Sequence, residues 1–127
     1  MEVTAIITIL ALLQFIVFSV QVGAMRAKHG IKAPATSGHP DFERMHRVQQ
    51  NTLEQLIVFV PALWMFAYFA DPLWAAAIGG VFIIGRVIYR RAYLQDPATR
   101  SMGFTIGILA SAVLLLGSLV AIGRDLL

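Results

Sequence analysis

The chain has 127 residues, 58% of them hydrophobic and 13% charged, with a mean hydropathy of +0.76 and a formal charge of +3. That much apolar surface in so short a chain exceeds what a small soluble domain can bury. The sequence holds no cysteine, which excludes disulfides, thiolate metal sites and a cysteine nucleophile. A bilayer core about 30 Å thick takes roughly 20 helical residues per crossing, so four crossings joined by short loops account for the length. The expected fold class is all-α: an integral membrane four-helix bundle, one domain over residues 1-127, with no internal repeat.

The first predicted span, Val3 to Ala24, is apolar apart from Thr4, Thr8, Gln14, Ser19 and Gln21. Gln14, Phe18 and Gln21 share a helical face, and glutamines inside a span prefer another helix to lipid. A signal peptide is the rival reading, but no cation precedes the apolar run and the run is longer than a signal core. Arg26 to Asp41 reads as a loop, with Arg26, Lys28 and Lys32 among the breakers Gly30, Pro34, Gly38 and Pro40.

The second span, Phe42 to Ala70, begins polar and runs into an apolar segment with no turn residue between. At about 100° per residue, Arg47, Asn51 and Glu54 fall on one face of it. Polar groups at that depth are costly and should face protein, water or a ligand. Pro61 leaves the Ile57 carbonyl without its helix donor, which predicts a kink. Asp71-Pro72 is a minimal turn, with Pro72 suited to the first position of a helix.

The third span, Pro72 to Tyr93, carries the small pairs Ala75/Gly79 and Ala76/Gly80 and ends polar, with Arg86, Tyr89, Arg90 and Tyr93 on one side. Asp96-Pro97 reads as an N-cap and first helical residue. It opens the fourth span, Ala98 to Gly123, with a stripe of small residues at Gly103, Gly107 and Ser111. This start puts Arg100 in the first turns of that helix, where its charge adds to the positive end of the helix dipole.

Nine of the ten Lys and Arg residues lie in or beside the first and third loops. The positive-inside rule then places those loops in the cytoplasm and both termini outside, in what reads as a bacterial inner membrane. At that face gather Arg47, Asn51, Glu54, Arg86, Tyr89, Tyr93 and Arg100. Arginines hold carboxylates in planar, often bidentate contacts, and Glu54 suits an ammonium, so the set fits a ligand with several carboxylates and one ammonium. Lys28, Lys32, Arg44, Arg90 and Arg91 read instead as topology signals or headgroup anchors, and Arg47 with Glu54 also fits a structural ion pair. His29, His39 and His46 lack metal-site spacing, so no metal is expected, and no nucleic-acid partner is expected either.

The stretch Phe42-Glu43-Arg44-Met45-His46-Arg47-Val48-Gln49-Gln50-Asn51-Thr52-Leu53-Glu54 closely resembles the signature of the membrane-associated proteins in eicosanoid and glutathione metabolism, the MAPEG family. Leu13-Gln14 and Ser19-Val20-Gln21-Val22 resemble that family's first helix. Gly85-Arg86-Val87-Ile88-Tyr89 with Tyr93 resembles its third-helix end, and Arg100 its arginine at the start of helix four.

The resemblance, to prokaryotic members similar to microsomal glutathione transferases, implies a homotrimer in membrane lipid with glutathione bound between subunits near the cytoplasmic face. It implies that Arg26, Arg47, Gln49, Asn51, Glu54, Tyr89 and Tyr93 bind glutathione. Arg100 would hold the thiolate that attacks a lipophilic electrophile or reduces a lipid hydroperoxide. Gln55 stands where many members have a tyrosine, and Ala27 where leukotriene-forming members have a second arginine. Both departures favour a general detoxifying transferase or peroxidase over an eicosanoid-specific one. Two alternatives stand beside this reading: a non-catalytic membrane binding or scaffold protein of the same fold, and a small four-helix multidrug exporter. The exporter needs a carboxylate in span one, where this chain has only Gln14.

Overall fold

A computed structural model describes all residues from Met1 to Leu127. It is all-helical: α1 (Glu2–His29), α2 (Pro40–Phe69), α3 (Pro72–Gln95), a short 3-10 turn (Pro97–Thr99) and α4 (Ser101–Leu126). All four helices are long and apolar enough to cross a membrane.

The helix ends follow local chemistry. α1 continues past Arg26 to His29 and stops at Gly30, whose φ of 66° is left-handed and costs least without a Cβ. The predicted first loop therefore shortens, and Arg26 lies on a helix. His39 caps α2, its Nδ1 accepting from the Asp41 N–H at 3.1 Å, with Pro40 as the first helical residue. α2 is assigned as one continuous helix through Pro61. Asp71 caps α3 by accepting from the N–H groups of Leu73 and Trp74 at 2.8 and 2.9 Å. Asp96 and Pro97 do start a helical segment, but only the 3-10 turn; α4 proper begins after it, with Arg100 at its N-cap position.

α2 and α3 form the centre of the bundle, each packing on the other, on α1 and on α4. Two buried apolar clusters hold it together. One joins Ala11, Leu56, Phe59, Leu63, Ala75, Phe82 and Leu114, with Phe59 and Phe82 stacked at 3.8 Å. The other joins Phe18, Val22, Ile31, Phe42, Met45, Val48 and Tyr89 near the loops that carry most of the cations. The large aliphatic residues facing outward, such as Ile6, Ile57, Leu73, Leu116 and Leu119, are those expected against lipid.

Glycines set the close approaches. A Cβ on Gly103 would run into the Tyr89 backbone, and one on Gly107 into the Gln55 amide. Gly79 faces Ile7 and Leu63, whereas Gly80, its neighbour in the small-residue pattern, faces open space. The stripe on α4 is therefore contact surface, and the stripe on α3 is so only on the Ala75/Gly79 side.

Candidate functional site

Between the two apolar clusters lies a polar layer crossing the bundle. α2 contributes Asn51, Thr52 and Gln55, which sit in sequence between Val48 of one cluster and Leu56 of the other. α3 contributes Arg86, between Phe82 and Tyr89. α1 contributes Gln14, between Ala11 and Phe18, its Nε2 donating to the Ile83 carbonyl at 3.1 Å. α4 meets the layer at Gly107 and Ser111.

Arg86 is the central feature of this layer, with no solvent exposure. Its Nη2 donates to Asn51 Oδ1 at 2.7 Å, and its guanidinium lies over the Tyr89 ring at 4.3 Å. Its Nε and Nη1 have no partner within the chain, nor does either polar atom of the Gln55 amide. A buried cation with one hydrogen bond is a high-energy arrangement. The Asn51 oxygen accepts from Arg86, and its amide nitrogen makes no hydrogen bond within the chain.

Asn51 and Gln55 also line a cavity of about 360 Å³ between α2 and α4. Glu54 and Ser111 complete its polar wall, and Val58, Phe104, Ile108 and Leu115 carry it to apolar depth. A second cavity of the same size is lined by Ala98, Arg100, Ser101 and Phe104, so Phe104 lines both.

The residues expected from sequence fall into several settings. Arg47 and Glu54 are both about half exposed and form an ion pair at 3.3 Å, so the structural pairing is present in the chain. Asn51 shares their helical face but turns inward to Arg86. Tyr89 is buried and stacks on the partly exposed Tyr93 at 5.5 Å. Gln49 is held away from the cavity, donating to Ser19 Oγ at 3.0 Å. Arg26 packs on the Phe42 ring at 4.8 Å and donates to the Ala35 carbonyl at 2.7 Å. Arg100 is exposed, with Nη1 donating to the Pro97 carbonyl at 2.8 Å. It sits where the free N–H groups of the first α4 turn point outward.

Two cations read as topology signals or anchors also have specific partners within the chain. Arg44 donates to the Leu94 carbonyl at 3.2 Å, satisfying the C-terminal end of α3. Arg90 donates from Nε to Gln21 Oε1 at 2.9 Å and lies over Phe18. The face of α1 carrying Gln14, Phe18 and Gln21 is thus the face that meets α3. Gln55 was legible only as a departure from a tyrosine. Its buried amide against Gly107 makes it part of the cavity wall.

The sequence profile of the MAPEG family matches residues 4–120. An uncharacterised protein of Synechocystis is 48% identical over 118 residues, covering 93% of this chain and 86% of its own length. Human microsomal glutathione S-transferase 2 is 38% identical over 113 residues, covering 87% of this chain and 77% of its own length. Bovine leukotriene C4 synthase is 33% identical over 119 residues, covering 94% and 78%.

Proposed function

The chain belongs to the MAPEG family, and from that premise we propose that it is a membrane-bound glutathione transferase with glutathione peroxidase capacity. The observation that carries the reading is the α2–α4 cavity. It is polar at Asn51, Glu54 and Gln55, apolar at Val58 and Ile108, and shares the Phe104 side of its wall with the cavity of Arg100. A hydrophilic thiol peptide and a lipophilic co-substrate need such a boundary between polar and apolar walls.

Glutathione brings two carboxylates, an ammonium and the thiol that the chain lacks. Arg26, Arg47 and Arg100 supply guanidinium groups for the carboxylates and thiolate. Glu54, released from Arg47, takes the ammonium. Asn51, Tyr89 and Tyr93 supply amide and hydroxyl donors, and Gln49 joins them once released from Ser19. Arg86, which holds Asn51 from behind, is the positioning residue that the sequence motif alone does not assign. The active unit is a homotrimer, with the set completed across neighbouring subunits and the site on the cytoplasmic side.

Arg100 stabilises the thiolate. In the transferase reaction that sulfur bonds to an electrophilic carbon and displaces a leaving group such as halide. In the peroxidase reaction it attacks the terminal oxygen of a hydroperoxide, and the expelled alkoxide leaves as the alcohol after taking up the proton that the thiol gave up. The resulting sulfenic acid condenses with a second glutathione, giving the disulfide and water.

The test is glutathione consumption by purified protein in detergent, with an aryl halide in one reaction and a lipid hydroperoxide in another. Turnover of either supports the proposal. Glutathione binding without turnover of either would mark a binding protein, and transport without turnover an exporter.

A further inference from the structure

At the connection between α1 and α2, the fold brings together three side chains that the sequence keeps apart. His29 ends α1, His39 caps α2, and Asp41 lies in the first turn of α2. One ligand atom from each lies within 4.8 Å of the others. The two imidazoles stack with centroids 3.6 Å apart and planes inclined by 14°. His29 Nε2 is buried with no hydrogen-bond partner, and no side chain or backbone donor engages the Asp41 carboxylate.

We propose that His29, His39 and Asp41 form a binding site for a divalent transition metal of the zinc class, clamping the end of α1 to the start of α2. Two imidazoles and one carboxylate are a donor set for zinc, cobalt or nickel, whereas calcium and magnesium prefer all-oxygen shells. Three protein ligands leave the remaining positions to water. Zinc–nitrogen bonds of about 2.0–2.1 Å bring ligand atoms closer together than they stand here. The rings must therefore fan apart from their stack and converge. Asp41 is exposed and both histidines are partly exposed, next to Gly30 and Gly38, so side-chain rotation suffices.

His39 Nδ1 already accepts from the Asp41 N–H, which fixes the ring proton on Nε2 in the neutral form. The metal takes the Nδ1 lone pair in place of that cap bond. Lys28 is an adjacent cation, and the Asp41 carboxylate offsets it. The same loop carries the Ala35 carbonyl that holds Arg26, so the ion closes a loop already tied to α1 at a second point. This inference is independent of the glutathione reading.

The experiment uses the full-length protein in detergent, carrying no histidine tag, titrated with Zn²⁺ against a chromophoric chelator and with Co²⁺ by its visible absorption. One ion per chain is expected. His29→Ala, His39→Asn and Asp41→Asn should each weaken binding by at least about tenfold. His39→Asn retains an N-cap residue, and Asp41→Asn alters only an exposed group, so loss of binding in these two is separable from unfolding. His46→Ala, outside the cluster, should bind as wild type does. Zn²⁺ should also slow tryptic cleavage after Lys32 in wild type and not in Asp41→Asn. Wild type that leaves the metal with the chelator overturns the proposal, as do folded variants that bind as tightly as wild type.

Discussion

Arg86 donates from Nη2 to Asn51 Oδ1 at 2.7 Å, and this bond joins the buried polar layer to the wall of the α2–α4 cavity. Hydrogen bonds to charged groups contribute about 1.5–3 kcal/mol, and stranding a buried charge costs more than deleting both partners. Asn51→Leu should therefore destabilise the bundle by about 2 kcal/mol or more, read as thermal unfolding in detergent. Arg86→Met with Asn51→Leu should recover part of that loss, a coupling measured by a double-mutant cycle. Additive effects would show that the two side chains act independently.

The contacts of α4 predict a contrast between glycines. Gly103→Ala forces a Cβ against the Tyr89 backbone, which cannot yield as a flexible side chain would. Overpacking of this kind costs about 1–3 kcal/mol. Gly80→Ala meets nothing within 4 Å and should be neutral or stabilising by up to about 1 kcal/mol through helix propensity. Equal effects of the two substitutions would remove Gly103 as a contact point.

The Arg47–Glu54 pair is half exposed, and exposed pairs contribute about 0–1 kcal/mol. Glu54→Gln should leave unfolding nearly unchanged yet weaken glutathione binding if, as proposed, Glu54 takes the ligand ammonium. Calorimetry that returns wild-type affinity would rule Glu54 out as a ligand.

The grouping of nine cations around the two loops at one end of the bundle predicts that end to be cytoplasmic. The chain has no cysteine, so a single Ser37→Cys substitution reports on the α1–α2 loop without background. It should resist a membrane-impermeant thiol reagent in intact cells and react after permeabilisation. Labelling from outside would reverse the topology.

These residues also show what the sequence could and could not disclose. The four spans were legible because hydropathy and length are local properties. The side of α1 that meets α3 was legible because Gln14 and Gln21 stand out in an apolar run. Their partners, the Ile83 carbonyl and Arg90, were not, since each lies 69 residues away. Arg44 and Arg90 carried the composition of headgroup anchors, and only packing revealed what they hold. Arg86 shared a face with Tyr89 in the sequence pattern, but nothing local distinguished an arginine at the mouth from one sealed inside. At α4, Asp96-Pro97 was a true start signal. A cap followed by proline serves a 3-10 turn as well as an α-helix, so Arg100 falls at the N-cap position of α4 rather than within its first turns.

In the proposed function, Arg100 lowers the pKa of the bound thiol. A free cysteine-type thiol titrates at about 8.5, and lowering it by two units corresponds to about 2.7 kcal/mol of preference for the anion. In the proposed function, the guanidinium at the start of α4 would supply that preference together with the free N–H groups of the first turn. A lowered thiol pKa makes turnover independent of pH above the bound value. Arg100→Ala should then be slower by about ten- to a hundredfold near neutrality and recover as pH approaches the free thiol value. Arg100→Lys should fall between, keeping charge but losing the planar fork. The direct measurement is thiolate ultraviolet absorbance of the glutathione complex against pH, in wild type and in Arg100→Ala. The account predicts a wild-type midpoint well below that of free glutathione and an Arg100→Ala midpoint returned toward it; identical midpoints in the two proteins would contradict it.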